Sequence, residues 1–220
     1  MSNDYEISKR NKVRQLREKA NYDRDTVHKI LDSALIASVG FVEDGQPVVV
    51  PMLFGREGET LYLHGARKAR VIRLLESTTT ACLNVTHVDG LVYARSAFNS
   101  SMSYRSATVF GPARLIEDSS EKLHALRVIS ECTMPGRWDE LREPLVNEVK
   151  KTGVIALDIE SASAKISTGM PTDEDEDYEI PIWAGVLPLE SRFTTLQSDD
   201  RLIDGVQPSD AVRAMEGKKL

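Results

Sequence analysis

The chain has 220 residues, long enough for one sizeable core with terminal extensions. Apolar residues at 41% and charged residues at 28% exclude a disordered chain, and no window approaches the apolar length needed to cross a bilayer. Net charge is -6, but Asp173, Glu174, Asp175, Glu176 and Asp177 alone supply five of those negatives; the rest is near neutral, and nucleic acid is not an expected partner.

The first twenty residues read as a charged arm, too polar for a secretory signal, which points to the cytoplasm. Asp23 is placed to cap a short helix whose Val27, Ile30, Leu31 and Ala34 share one face. Strand signals follow over Leu35 to Val42 and Pro47 to Phe54, joined by the hairpin Glu43-Asp44-Gly45, and over Thr60 to His64 after the turn at Gly58. Ala69, Ile72 and Leu75 predict a short helix with Arg67, Arg70 and Arg73 along one side. Thr80 to Val88 is the next strand, Asp89-Gly90 reads as a turn, and Leu91 to Ala94 continues beyond it. Ser96 to Ser103 reads as a loop before a long strand, Tyr104 to Ile116, with a bulge or edge at Gly111-Pro112.

Asp118 with Glu121 resembles a capping box and opens a helix to about Met134. Asp139 to Lys151 predicts another, kinked by Pro144, and Val154 to Ile159 is the last clear strand. Ile180-Pro181-Ile182-Trp183 calls for burial, and the tail from Ser198 is polar. Cys82 and Cys132 lack metal-type spacing and read as buried small hydrophobes. Tight hairpins between strands exclude a parallel sheet and favour an antiparallel barrel decorated by helices.

Walker, GxGxxG, HExxH and GxSxG signatures are missing, and the four histidines His28, His64, His87 and His124 show no metal-ligand spacing. No catalytic acid or base can be nominated. The most informative run is His64-Gly65-Ala66-Arg67-Lys68-Ala69-Arg70, where a strand turns into a helix. Glycine permits close backbone approach, and arginine supplies a forked donor for phosphate oxygens. A solvated basic helix face is the plainer alternative. The hydroxyl-rich run Ser101, Ser103, Tyr104, Arg105 and Ser106 could complete such a cradle, or be an ordinary strand entrance. Trp183 could stack on a planar ring, anchor a subunit contact or simply fill a core.

Several segments together resemble the pyridoxamine 5′-phosphate oxidase-like superfamily, in its flavin-nucleotide-binding branch related to nitroimidazole-resistance reductases. They are Val48 to Leu53, Leu61 to Arg70, Asp89 to Ser96, Tyr104-Arg105-Ser106, Pro135 to Trp138, Ser163-Ala164-Lys165 and Pro181 to Leu189. The resemblance implies a mainly β, α+β fold: a six-stranded antiparallel split β-barrel of Greek-key type over residues 21–190, flanked by an arm (1–20) and a tail (191–220). It implies a homodimer with FMN at the subunit interface. By position, Arg70 with Arg67 or Lys68 would bind phosphate, helped by Ser101, Tyr104, Arg105 and Ser106. Val50, Pro51, Met52 and Leu53 would line the isoalloxazine, with His64, Gly65 and Ala66 beside it and Trp183 closing the site. Where relatives carry histidine, asparagine or serine, this chain has Asn99, Ser100, Ser103 and Ala69.

The activity so implied is FMN-dependent two-electron redox chemistry on a nitroaromatic, quinone or pyridoxal-type compound, fed by NAD(P)H. A flavin carrier or sensor without turnover is the alternative. Haem ranks lower, because no histidine has an obvious axial-ligand setting in the sequence.

Overall fold

The computed structural model describes residues 3–76 and 80–220; Met1 and Ser2 of the expected arm lie outside the described residues. In chain order, the strands are β1 (Ala20–Asn21), β2 (Ile36–Glu43), β3 (Gln46–Glu57), β4 (Thr60–Ala66), β5 (Ala81–Tyr93), β6 (Ser101–Gly111), β7 (Ala113–Leu115), β8 (Thr152–Asp158), β9 (Ser161–Ser167) and β10 (Gly185–Pro188). The helices are α1 (Arg24–Asp32), α2 (Arg70–Glu76), α3 (Ser119–Thr133), α4 (Val146–Lys151) and α5 (Asp210–Arg213). The mainly antiparallel α+β class is therefore as expected, with ten strands among the described residues where six were predicted. Three of the additional strands are two to four residues long, too short to show a period. The fourth, β9, is a run of small residues, SASAKIS, with weak strand propensity.

Backbone contacts divide the chain into two units. The first comprises Met1–Ala34, Cys82–Phe110 and Glu160–Glu190, with strand order β1-β9-β6-β5 and β10 paired to β5. α1 is capped by Asp23, whose side chain accepts from Thr26 N, and it buries Val27, Ile30 and Leu31. β5 runs unbroken through Asp89-Gly90, which is not the turn the sequence suggested. A Cβ on Gly90 would stand 2.8 Å from Leu187 O, so glycine there serves the close approach of β10.

The second unit comprises Leu35–Ala81, Gly111–Ile159 and Ser191–Leu220, with strand order β2-β3-β4-β8-β7. Asp44 and Gly45 both take positive φ, 48° and 76°, and close the β2–β3 hairpin in a register pairing Glu43 with Gln46. α3 packs on β3 and β4, with Ala125 and Ile129 buried among Tyr62, Ile116, Val154 and Ala156. Asp118 caps it by accepting from Ser120 N and Glu121 N, but Glu121 pairs with Arg114 and does not return to complete a capping box.

Three further expectations need correction. Asp139 to Lys151 is not one helix: a 3-10 turn, Trp138–Glu140, is followed by extended chain and then α4. Pro144 disfavours helical geometry at Glu143, and the new helix starts where Glu148 accepts from Leu145 N at 2.8 Å. Cys132 is exposed and Cys82 half-buried, because Cys132 lies on the outer side of α3 while Ile129 and Thr133 face inward. Ile180, Ile182 and Trp183 are 40%, 49% and 70% exposed; β10 begins only at Gly185, leaving this segment outside the sheet. No helix is long and apolar enough to cross a membrane.

Candidate functional site

β2 and β3 alternate, and both their faces are apolar. Ala37, Val39, Phe41, Met52 and Phe54 point into the core. On the opposite face, cross-strand pairs align Ile36 with Leu53, Ser38 with Pro51, Gly40 with Val49, and Val42 with Pro47. Ile36, Val42 and Val49 are 59–66% exposed. At strand rise this face runs about 20 Å. Of the residues expected to line a ring, Pro51 and Leu53 lie on this face, Met52 is buried in the core and Val50 is half-buried.

The basic run after β4 sits at one end of this hairpin. Arg70 pairs with Glu43, the last residue of β2, through Nη2 and Nε, the latter at 3.2 Å. Arg67 makes a fork to Glu76, 3.0 and 3.1 Å, and its backbone N–H donates to Lys151 O at 2.8 Å. Lys68 and Ala66 are exposed, and Gly65 lies close under Ile72. Two of the expected phosphate donors are thus paired with carboxylates, Arg70 at the hairpin end and Arg67 with the last residue of α2. No local signal marks Glu43 and Glu76 as partners, since each pairing is made by tertiary structure.

His64, on β4, has a buried Nδ1 with no hydrogen-bond partner, and burial pushes its pKa below the usual value of 6.5. The other three histidines engage Nε2: His28 with Tyr5 Oη at 3.1 Å, His87 with Ser33 Oγ at 3.1 Å, and His124 with Glu57 Oε2 at 2.7 Å. His87 is also pushed down, first by burial and then by Arg105. A base with a lowered folded pKa binds fewer protons folded than unfolded. The contribution of His64 and His87 is therefore complete above pH 6.5 and is lost as pH falls from there through their folded values. The melting temperature should drop between about pH 7 and 5, and the drop should shrink in His87→Gln. A flat profile in the wild type would contradict this.

The remaining expected residues lie in the other unit. Arg105, on β6, chelates Asp89 with contacts of 2.9 to 3.2 Å, and Ser106 Oγ donates weakly to Lys165 O at 3.4 Å. Tyr104 pairs across to Ser167 on β9, and Ser101 is exposed at the start of β6. Trp183 packs at a tilt against Tyr93, ring centroids 5.9 Å apart, with Leu91 and Leu187 also exposed on the same strand pair. The segment before β10 is clasped by Asp173, which accepts from Arg95 N and Nη1 at 2.9 and 3.0 Å; Tyr178 stacks on the same guanidinium. Burial works to raise the Asp173 pKa, but the Arg95 bonds win and hold it below the usual range. The acidic run contributes a clasp through Asp173, and among the described residues no cluster of metal-ligating side chains occurs.

The sequence profile of the pyridoxamine 5′-phosphate oxidase family matches residues 23–166. The chain belongs to this family. The antiparallel split-barrel fold implied by the sequence resemblance is the fold of the family, and the structural comparisons sharpen the relationship. The flavocytochrome Anf3 from Azotobacter vinelandii is 37% identical, with a TM-score of 0.90 over 96% of this chain and 98% of that one. The FAD and heme binding protein from Mycobacterium smegmatis is also 37% identical, with a TM-score of 0.86 over 90% and 98%. A putative 5-nitroimidazole antibiotic resistance protein from Bacteroides thetaiotaomicron is 28% identical, with a TM-score of 0.60 over 70% and 90%. No curated protein matches the chain.

Proposed function

We propose that this family member is a flavocytochrome, a redox protein that holds a flavin, as FAD, together with haem. The observation that carries the reading is the extent of the likeness. The nitroimidazole-resistance relative covers 70% of the chain, whereas the flavocytochrome covers 96% and the FAD and heme binding protein 90%. The segments outside the family profile, residues 1–22 and 167–220, thus belong largely to what is shared with the haem-containing proteins. The sequence resemblance alone implied FMN. FAD carries the same ring and the same first phosphate, so the residues assigned to FMN keep their roles.

The chain's own residues fit both groups. The exposed β2–β3 face offers a flat apolar surface for a ring system, Arg70 stands at its end, and Arg67 lies three residues before it, as donors for a phosphate ester. Both arginines would exchange a carboxylate for the phosphate. His64 carries a buried ring nitrogen without a partner, and its lowered pKa keeps it in the neutral form that iron requires. When bound, a flavin handles electron pairs and a haem single electrons, so the two together link a two-electron donor to one-electron chemistry. The exposed Trp183, Tyr93, Leu91 and Leu187 favour a homodimer, in which this surface would leave water.

The purified protein should show flavin bands and a Soret band in one spectrum. His64→Ala should lose or shift the Soret band and keep the flavin bands. An unchanged Soret band in that variant would remove His64 from the iron, and its absence in the wild type would remove haem from the reading.

A further inference from the structure

The N-terminal arm is tightly built. Tyr5 and Asn11 are each 2% exposed. Asn11 Nδ2 donates to Glu6 O and Ala162 O, both at 3.0 Å, and its Oδ1 accepts from Ser8 N at 2.7 Å. Val13 N donates to Tyr22 Oη at 2.9 Å, and Lys19 Nζ to Ser167 Oγ at 3.0 Å. Leu16 takes a left-handed conformation, φ 52° and ψ 58°, which a residue with a Cβ adopts only when its surroundings demand it. The bend turns the chain so that Arg17 Nε donates to Arg14 O at 3.3 Å.

This scaffold gathers positive charge. Lys9, Lys12, Arg14 and Arg17, with Ile7 and Ser8, line a concavity of about 500 Å3 that no carboxylate lines. Arg67, Arg70, Arg95, Arg105, Arg114, Arg127, Arg137 and Arg142 each pair with a carboxylate. Among the described residues, none of the four cations in the concavity does. Like charges spread apart on a free chain; here the fold holds them together, so the cost of assembling a multiply charged anion site is already met. Four cationic heads meet there, with Ile7 and the apolar stems of the lysines and arginines between them, so the charge of the site favours an anion.

We propose that this arm binds the phosphate-bearing end of a small molecule with two or more phosphate groups. Resting on the redox reading above, that molecule is a phosphorylated nicotinamide dinucleotide serving as electron donor. The test is calorimetric titration of the full-length holoprotein at low salt with inorganic pyrophosphate, NADPH and NADH. Pyrophosphate should bind, NADPH should bind about tenfold or more tightly than NADH, and the triple variant Lys12→Ala/Arg14→Ala/Arg17→Ala should lose about tenfold or more for both anions. All three residues are exposed, and an unchanged melting temperature confirms that the variant is folded. No pyrophosphate binding in the wild type, or equal binding in the variant, overturns the site. Equal affinity for NADPH and NADH with pyrophosphate still bound overturns the dinucleotide and leaves a free polyphosphate as ligand. The absorption spectrum of the same sample reports flavin and haem content independently, so failure of the redox reading is distinguishable from failure of the arm.

Discussion

Gly55→Ala should unfold the protein or bring it close to unfolding. Gly55 lies on β3 opposite Tyr62 of β4, directly under α3. A Cβ there would stand 2.7 Å from Ile129 Cα, 2.9 Å from Ile129 N and 3.0 Å from the Val128 carbonyl carbon. All three are backbone atoms of a helix, so no rotamer change relieves the clash. α3 would have to lift from the sheet, and lifting it opens the cluster in which Ala125 and Ile129 meet Tyr62, Ile116, Val154 and Ala156. Overpacking and lost burial then act together, and about 3 kcal/mol or more is expected, a large share of a domain's total stability. Urea denaturation of the variant measures it. A loss below about 1 kcal/mol would mean that α3 does not sit on β3 as described.

The second large effect is on ligand affinity. Arg70→Ala should weaken flavin binding by about 1.5–3 kcal/mol, or about 10- to 150-fold, as expected for a charge-assisted hydrogen bond to phosphate. The ion pair with Glu43 shapes this number. Arg70 must leave one anion to meet another, so the loss should fall toward the lower end, and Glu43→Gln should tighten binding by releasing the guanidinium. Flavin fluorescence titration of the apoprotein gives both values. Equal affinity in wild type and Arg70→Ala would take Arg70 out of the phosphate site.

The long elements of this fold were legible because their periods are strong. Val27, Ile30 and Leu31 mark the buried face of α1, and Asp44-Gly45 fixes the β2–β3 hairpin and hence its register. What escaped depends on partners remote in sequence. Asp89-Gly90 reads as a turn by composition, yet Asp89 is held by Arg105 and Gly90 makes room for β10. β9 presents only small residues, Ala162 and Ala164, to the core, both fully buried, so its strand identity is conferred by neighbours and not by propensity.

The candidate site was legible to a similar degree. Residue types at His64 to Arg70 suggested an anion site, but Glu43 and Glu76, which hold its arginines, carry no local signature. His64 looked ordinary in the sequence because a lone histidine has no spacing to read; only burial of its Nδ1 without a partner distinguishes it from His28, His87 and His124. Histidine spacing gives haem no support in the sequence; the proposed haem rests on likeness over nearly the whole chain to two other proteins.

Release of the bound chromophores by acid, followed by mass spectrometry, decides the matter most directly. The flavocytochrome reading predicts two masses from one preparation, FAD and a haem, each approaching one per chain. FMN alone, or a protein that carries neither group after expression with ample iron and riboflavin, would contradict it.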